Sequence, residues 1–310
     1  MADSYVLSDN LAQVNMFVSI VVPTYQDWTS LRCCIEGLLD QTYPRDSYEV
    51  IVVNNSVDDT IPSWVEESPI TILGEPKKSS YAARNRGIYQ SSGEIIALID
   101  SDCRPAMDWL NRGVSHLVNT NSHLVAGRVV MDDEGTINPF RLYDAATGID
   151  SEYSVRLGIA KTANLFVRRY LFETVGLFDG DVQSGGDVEW TSRATSSGYL
   201  LSYCSDAVVY HPTRGMRQSI RKGWRVVLST RRTRHPRSDA LVHQFQRLAV
   251  LLATMASVRP LKLRERMIRN GTYRSWRLGL AIFALIIIRV TKAAGLLYES
   301  VRASLGCCRQ

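Results

Sequence analysis

The chain has 310 residues, 45% of them hydrophobic, and a formal net charge of +5. That length and apolar content suit one large domain with an appendage, or two domains, and they exclude a disordered chain. The small net charge hides a division: residues 1–213 carry 15 Lys/Arg against 28 Asp/Glu, net −13, whereas residues 214–310 carry 21 against 3, net +18.

Residues 1–15 read as a loose leader. Phe17–Pro23 is a first buried strand, β-branched and ended by proline. Leu31, Cys34, Ile35, Leu38 and Leu39 recur at helical spacing, which gives an amphipathic helix before the Thr42-Tyr43-Pro44 break. Tyr48–Val53 and Ile70–Leu73 follow as strands, Ser80–Gln90 as a helix, and Glu94–Ile99 as a fourth, strongly apolar strand. Strand and helix alternate, so the expected fold is α/β: a Rossmann-like, doubly wound, mostly parallel sheet with right-handed crossovers. Beyond Asp102 the alternation loosens. A helix is expected over Trp109–Val118 and a strand over His123–Met131, then an acidic, irregular stretch over 132–162. Next come a strand over Asn164–Val167, helices over Arg168–Val175 and Asp187–Ser197, and two short strands over Leu200–Cys204 and Ala207–Tyr210.

The six cysteines are Cys33, Cys34, Cys103, Cys204, Cys307 and Cys308. Their two adjacent pairs lack zinc-ligand spacing and no secretory signal precedes them, so they read as free thiols in a reducing compartment.

The fourth strand runs into Asp100-Ser101-Asp102. Carboxylates at i and i+2 of a strand fall on one face, and ligands of open α/β sheets bind at the carboxyl ends of the strands. Such a pair suits a divalent cation, the ribose hydroxyls of a nucleotide, or both; alone, it equally suits a solvated turn or a helix cap.

Further segments change that balance. Val22-Pro23-Thr24-Tyr25 follows the first strand and Val52-Val53-Asn54-Asn55-Ser56 the second. Ser80-Tyr81-Ala82-Ala83-Arg84-Asn85-Arg86-Gly87-Ile88 forms the helix before the Asp-x-Asp, and Gly185-Gly186-Asp187-Val188-Glu189-Trp190 lies downstream. In this order they resemble the family 2 glycosyltransferases of the GT-A fold over about residues 17–215.

The resemblance implies an inverting transfer from a nucleotide-sugar donor, UDP- or GDP-linked. Asp102 would hold Mn²⁺ or Mg²⁺, with His211 of Tyr210-His211-Pro212 as a further ligand. Asp100 and Ser101 would meet the ribose, Arg84 the pyrophosphate, and Pro23, Thr24 and Tyr25 the base and ribose. Asn54 departs from the pattern, since many relatives carry Asp there; its carbonyl oxygen can still accept the N3–H of uracil. Asp187 would be the general base, or else an N-cap after two glycines. Glu189, Trp190 and Asn164 would face the acceptor or the sugar, Trp190 alternatively packing in the core.

The implied organisation is a leader over 1–15, a catalytic domain over 16–215 (nucleotide half 16–104, acceptor half 105–215) and a basic helical tail over 216–310. Gln218-x-x-Arg221 invites comparison with the Gln-x-x-Arg-Trp signature of processive synthases, but Lys222 and Gly223 intervene before Trp224, so a single transfer is expected.

Two apolar runs of the tail, Leu248–Val258 and Leu278–Ile288, have 11 residues each, against the ~20 that a bilayer core demands. Extending the second to Leu297 brings in Arg289 and Lys292, so spanning is marginal, and residues 278–297 suit a helix lying in the interface. Helices packed on the catalytic domain are the alternative.

The expected protein therefore works at the cytoplasmic face of a membrane on a lipid-linked or glycan acceptor. A sugar-phosphate nucleotidyltransferase would need a Gly-rich basic loop after the first strand, which Pro23-Thr24-Tyr25-Gln26 does not offer. The other alternative is a non-catalytic module whose basic tail holds lipid or nucleic acid; the nucleic-acid form would need aromatic residues interleaved in the tail, and no nucleic acid is expected as a partner.

Overall fold

In a computed structural model of the chain, the residues described are 16–56, 58, 60–132, 137–229, 260–269 and 273–306. The leader and the apolar run 248–258 lie outside them.

The first half follows the expected alternation. Strands β1 (Val18–Thr24), β2 (Tyr48–Asn54), β3 (Thr71–Gly74) and β4 (Ile95–Ile99) are parallel, in the order β3-β2-β1-β4. Every residue of β1 and of β4 is buried, because helices cover both faces of the sheet. Helices α1 (Trp28–Leu39), the short α2 (Ser63–Glu66) and α3 (Ser80–Gln90) make the crossovers. Asp27 caps α1 and Ser79 caps α3 through side-chain acceptance of backbone N–H groups.

The second half differs from the expectation. A two-residue β5 (Arg104–Pro105), α4 (Trp109–Asn119) and β6 (Leu124–Asp132) precede α5 (Pro139–Thr147) and α6 (Ser151–Arg156), two helices inside the stretch expected to be irregular. Asn138 caps α5 and Pro139 opens it, a start signal masked by the acidic residues before it. Strand β7 (Asn164–Arg168) runs antiparallel to both β4 and β6. Arg168 still pairs with Ile95, so the expected helix shrinks to the single turn α7 (Leu171–Thr174).

After α8 (Gly186–Ser196), the two expected short strands are one strand, β8 (Leu201–Pro212). It runs parallel to β6, with a bulge between Gly127 and Arg128 absorbing the irregularity. The complete order is β3-β2-β1-β4-β7-β6-β8-β5, a mixed sheet in its second half.

Two apolar cores flank this sheet. One holds α1 and α4, with Trp109 and Phe166 ring centroids 5.0 Å apart; the other holds α3 and α8, with Trp190 stacked on Phe172 at 4.7 Å. The tail adds α9 (Met216–Ser229), α10 (Pro260–Arg269) and α11 (Ser275–Gly306). Leu142 and Ala146 of α5 pack with Leu263 and Met267 of α10 and Ala281 of α11, and Phe140 packs with Ala284 and Ile288. One side of the run 278–288 therefore covers α5. Trp276, Phe283, Ile286 and Val290 are exposed, spaced to share the outer face of α11. Among the described residues no helix is long and apolar enough to cross a membrane.

Candidate active site

The carboxyl ends of β1, β2 and β4 lie side by side, Thr24 in register with Asn54. Pro23 is buried in β1, Tyr25 is exposed just beyond it, and the buried Thr24 hydroxyl has no hydrogen-bond partner among the described residues. A buried hydroxyl without a partner costs stability unless something supplies one. Asn54 is also buried. Its Nδ2 donates to Ser56 O at 3.0 Å and its Oδ1 accepts from Ser56 N–H at 2.9 Å. The amide thus closes the loop after β2 and keeps one carbonyl lone pair for a ligand.

Arg84 is almost wholly buried, and its guanidinium ion-pairs with Asp100. Gly87, one turn later in α3, permits this approach. A Cβ there would lie 2.5 Å from a methyl of Val21, so only glycine lets α3 sit this low on β1. Arg84 Nη1 also donates to Ser80 O at 3.2 Å, while its Nε has no described partner.

With Asp100 neutralised in this way, Asp102 is the carboxylate left over. Burial, together with the nearby Asp100 charge, pushes its pKa up, although His211 and Arg214 pull it down. His211, wholly buried at the end of β8, places Nε2 3.7 Å from Asp102 Oδ1. Its Nδ1 lies 2.8 Å from the Pro212 carbonyl, which can only accept, so Nδ1 carries the proton and Nε2 presents a lone pair. Arg214 Nη2, 3.1 Å away, donates to that lone pair.

A half-buried carboxylate 3.7 Å from a buried imidazole nitrogen suits a Mn²⁺ or Mg²⁺ ion, which would be held by Asp102 and His211 once Arg214 turns away from Nε2 and frees its lone pair. Cys103 Sγ lies with these two groups, all within 4.8 Å of one another. Burial pushes its thiol well up, so it is protonated and points its S–H toward Asp102 at 3.9 Å. Ser101 sits half-buried between the two aspartates.

Asp187 lies in the first turn of α8 and is linked to the Arg84–Asp100 pair through Tyr81, whose ring centroid is 5.7 Å from the Arg84 guanidinium. Gly185, in the left-handed region at φ 86°, is the N-cap, so Asp187 is not a capping residue. Tyr81 OH donates to Asp187 Oδ1 at 3.2 Å, Val188 N–H donates to the same oxygen at 2.9 Å, and Lys161 Nζ is 3.6 Å from Oδ2. Burial, and then the Asp187 charge, push the Tyr81 phenol up to about 12, which keeps it a donor.

Trp190 takes the core alternative given for it, and Asn164, expected at the acceptor, is a core residue. Trp190 is wholly buried and donates to Gly176 O at 2.6 Å. Asn164, also buried, donates to Arg128 O and Ala207 O and accepts from Trp109 Nε1, so its amide knits β6, β8 and α4 together. Glu189 pairs with Arg193 on the exposed side of α8. Tyr81, Lys161, Cys103 and Arg214 join the site without having been singled out. Tyr81 lies within a motif segment and Arg214 two residues beyond Tyr210-His211-Pro212, whereas nothing local marks Lys161.

Comparison with known proteins accords with this geometry. Residues 19–179 match the model of glycosyl transferase family 2. The chain is 38% identical over 217 residues to the glycosyltransferase AglE of Haloferax volcanii, covering 68% of this chain and 71% of that protein. A Methanococcus voltae protein named as a dolichyl N-acetyl-α-D-glucosaminyl phosphate 3-β-D-2,3-diacetamido-2,3-dideoxy-β-D-glucuronosyltransferase is 24% identical over 224 residues, covering 64% of this chain and 67% of its own length. Among solved structures, the mannosyltransferase PcManGT of Pyrobaculum calidifontis in complex with GDP-Man and Mn²⁺ superposes with a TM-score of 0.57 at 23% identity, over 90% of this chain and 87% of that one.

Proposed function

Because the chain belongs to glycosyl transferase family 2, we propose that it transfers one sugar, with inversion, from a UDP- or GDP-linked donor to a lipid-linked or glycan acceptor at a membrane surface. The observation that carries this reading is the meeting, at one end of the sheet, of three features: the unpartnered Thr24 hydroxyl, the Arg84–Asp100 pair and the Asp102–His211 pair. Nucleotide, pyrophosphate and cation each have chemically suited groups there.

In this reading Thr24, Tyr25 and Asn54 receive base and ribose, Asp100 and Ser101 the ribose, and Arg84 the pyrophosphate. Asp102 and His211 would hold Mn²⁺ or Mg²⁺, and the ion would supply the positive charge that a leaving diphosphate needs. An acceptor hydroxyl attacks the anomeric carbon from the face opposite the diphosphate. Its proton passes to Asp187, the new C–O bond forms, and the bond to the diphosphate breaks with its electron pair. Tyr81 and Lys161 aim the Asp187 carboxylate at that hydroxyl.

The name of the Methanococcus voltae relative supports a lipid-linked acceptor. The exposed stripe Trp276, Phe283, Ile286 and Val290, within residues 214–310 of net charge +18, supports peripheral contact with the cytoplasmic face of an anionic membrane.

Calorimetric titration of the protein with UDP and with GDP, each with and without Mn²⁺, tests the donor reading. The expected result is metal-dependent binding of at least one nucleotide that Asp102→Ala abolishes. Undiminished metal-dependent binding by the variant would remove Asp102 from the site.

A further inference from the structure

A cavity of about 630 Å³ lies away from the nucleotide half, walled by β6, the α5–α6 connection, β8 and α10. Its size is that of sites for small ligands, which run from about 300 to 1,000 Å³. Three guanidinium groups (Arg128, Arg266 and Arg269) and two carboxylates (Asp150 and Glu152) line it, with the Tyr203 phenol. Part of this charge is cancelled within the cavity. Arg269 pairs with Asp150 at 3.2 Å, and Glu152 is drawn to Arg156 of its own helix. Among the described residues no ion pair engages Arg128 or Arg266.

Asp150 uses its other oxygen to cap α6, accepting from Tyr153 N–H at 3.0 Å. The Asp150–Arg269 pair therefore fastens α10 to the catalytic domain as the wall of the cavity. Burial pushes the Tyr203 phenol up, so it remains a hydrogen-bond donor.

Two guanidiniums with no ion-pair partner among the described residues, and a phenolic donor, call for an anion of tetrahedral oxygens, which Arg recognises through several N–H groups at once. The remaining carboxylate, Glu152, calls for hydroxyl donors. A phosphorylated sugar offers both.

One residue links the cavity to the candidate site by strand register. Met131, on its wall, pairs in register with His211, the candidate metal ligand on the neighbouring strand. The nucleotide contacts Thr24, Asn54 and Asp100 instead stand on or beside β1, β2 and β4, separated from β6 by β7.

We propose that this cavity binds the phosphorylated sugar of the acceptor, Arg128 and Arg266 holding its phosphate and Glu152 and Tyr203 its hydroxyl groups. This rests on the glycosyltransferase reading above. The phosphate is either that of a free sugar phosphate or the link to a polyprenyl lipid.

The test titrates the full chain with glucose 1-phosphate and, separately, with phosphatidylcholine vesicles carrying a polyprenyl phosphate-linked glucose. Arg128→Gln and Arg266→Gln are measured in parallel, as is Mn²⁺-dependent binding of UDP and GDP. Both arginines reach solvent, so the variants should fold, which thermal melting checks.

The expected result is binding of at least one probe, weakened about tenfold by each substitution, with nucleotide binding unchanged. Soluble and vesicle probes bound alike assign the site to the sugar phosphate itself; binding of the vesicle probe alone assigns it to the lipid-linked form. Probe binding that the variants leave intact, that nucleotide displaces, or that is absent in both arms would overturn the proposal. A chain that binds the probes but neither nucleotide would leave the cavity standing and remove the donor reading.

Discussion

Asp187 is held from three parts of the chain: Tyr81 of α3, Lys161 before β7, and its own neighbour Val188. Asparagine keeps the size and one acceptor oxygen but loses basicity. Asp187→Asn should therefore bind nucleotide normally and transfer sugar about 10²-fold more slowly or worse. The helix should persist, since its cap is Gly185. Parallel measurement of nucleotide affinity and turnover checks this, and near-normal turnover would exclude Asp187 as the base.

At the opposite end of the sheet, Glu49 accepts from Ser19 OH at 2.6 Å, Ser92 OH at 2.6 Å and Ser92 N–H at 2.8 Å. Burial raises its pKa, but these donors and Arg169 outweigh burial and hold it below the ordinary value of 4.5. A lowered carboxylate stabilises the fold above its unfolded pKa, and that contribution fades as pH falls through the folded value. Glu49→Gln should cost about 1 kcal/mol at pH 7 and progressively less below about pH 4.5. Urea denaturation of both proteins across that range measures the difference.

That Asp100, Asp102, Arg84 and Thr24 gather at one end of the sheet was legible in the sequence, because they sit at strand ends or in one helix that local pattern locates. Their partners were not. Tyr81 meets Asp187 across 106 positions, and Trp190 and Asn164 look like sugar contacts until the core closes on them.

Among elements, α3 stands out because its residues both pack on β1 and deliver Arg84. Gly87→Ala would drive a methyl into Val21, a stiff β-branched side chain wholly buried in β1. Relief requires α3 to lift, which draws Arg84 from Asp100. The expected cost is about 1–3 kcal/mol of stability together with weaker nucleotide binding, seen by denaturation and by titration of UDP and GDP. A change in stability with unaltered nucleotide affinity would separate the packing of α3 from the site.

The elements that sequence pattern located well, β1, β2, β4 and α3, are those whose apolar periodicity is uninterrupted. Helix α5 escaped because its apolar face is completed by α10 and α11, more than a hundred residues downstream, and its surroundings are acidic. The direction of β7 escaped for another reason: a buried strand reads alike whether its neighbours run parallel or antiparallel.

At the scale of the whole molecule, the −13 body and +18 tail meet along α5, where Asp144 accepts from Arg214 N–H at 2.9 Å and has Lys222 Nζ 4.0 Å away. The full chain should sediment with vesicles of anionic phospholipid. Salt should release part of it, since basic residues contribute about 1 kcal/mol each near such a surface and are screened. The exposed stripe of α11 should retain the rest, and replacing Trp276 and Phe283 by Ser should abolish that salt-resistant fraction. Full-length protein that stays in solution at low salt would exclude the membrane reading.

Helix α11 is 32 residues, about 48 Å, long. One side of it is packed on α5, and α5 is in turn tied through Asp144 to the residues beside His211. Should the outer side of α11 rest on the membrane surface proposed above, the Asp102–His211 pair would stand at a set height above it. The enzyme would work as a ruler: an acceptor is glycosylated when its hydroxyl projects that far from the plane. A chain lengthened by further sugars would carry its end past the centre, so that one addition ends the enzyme's turn without any recognition of the product.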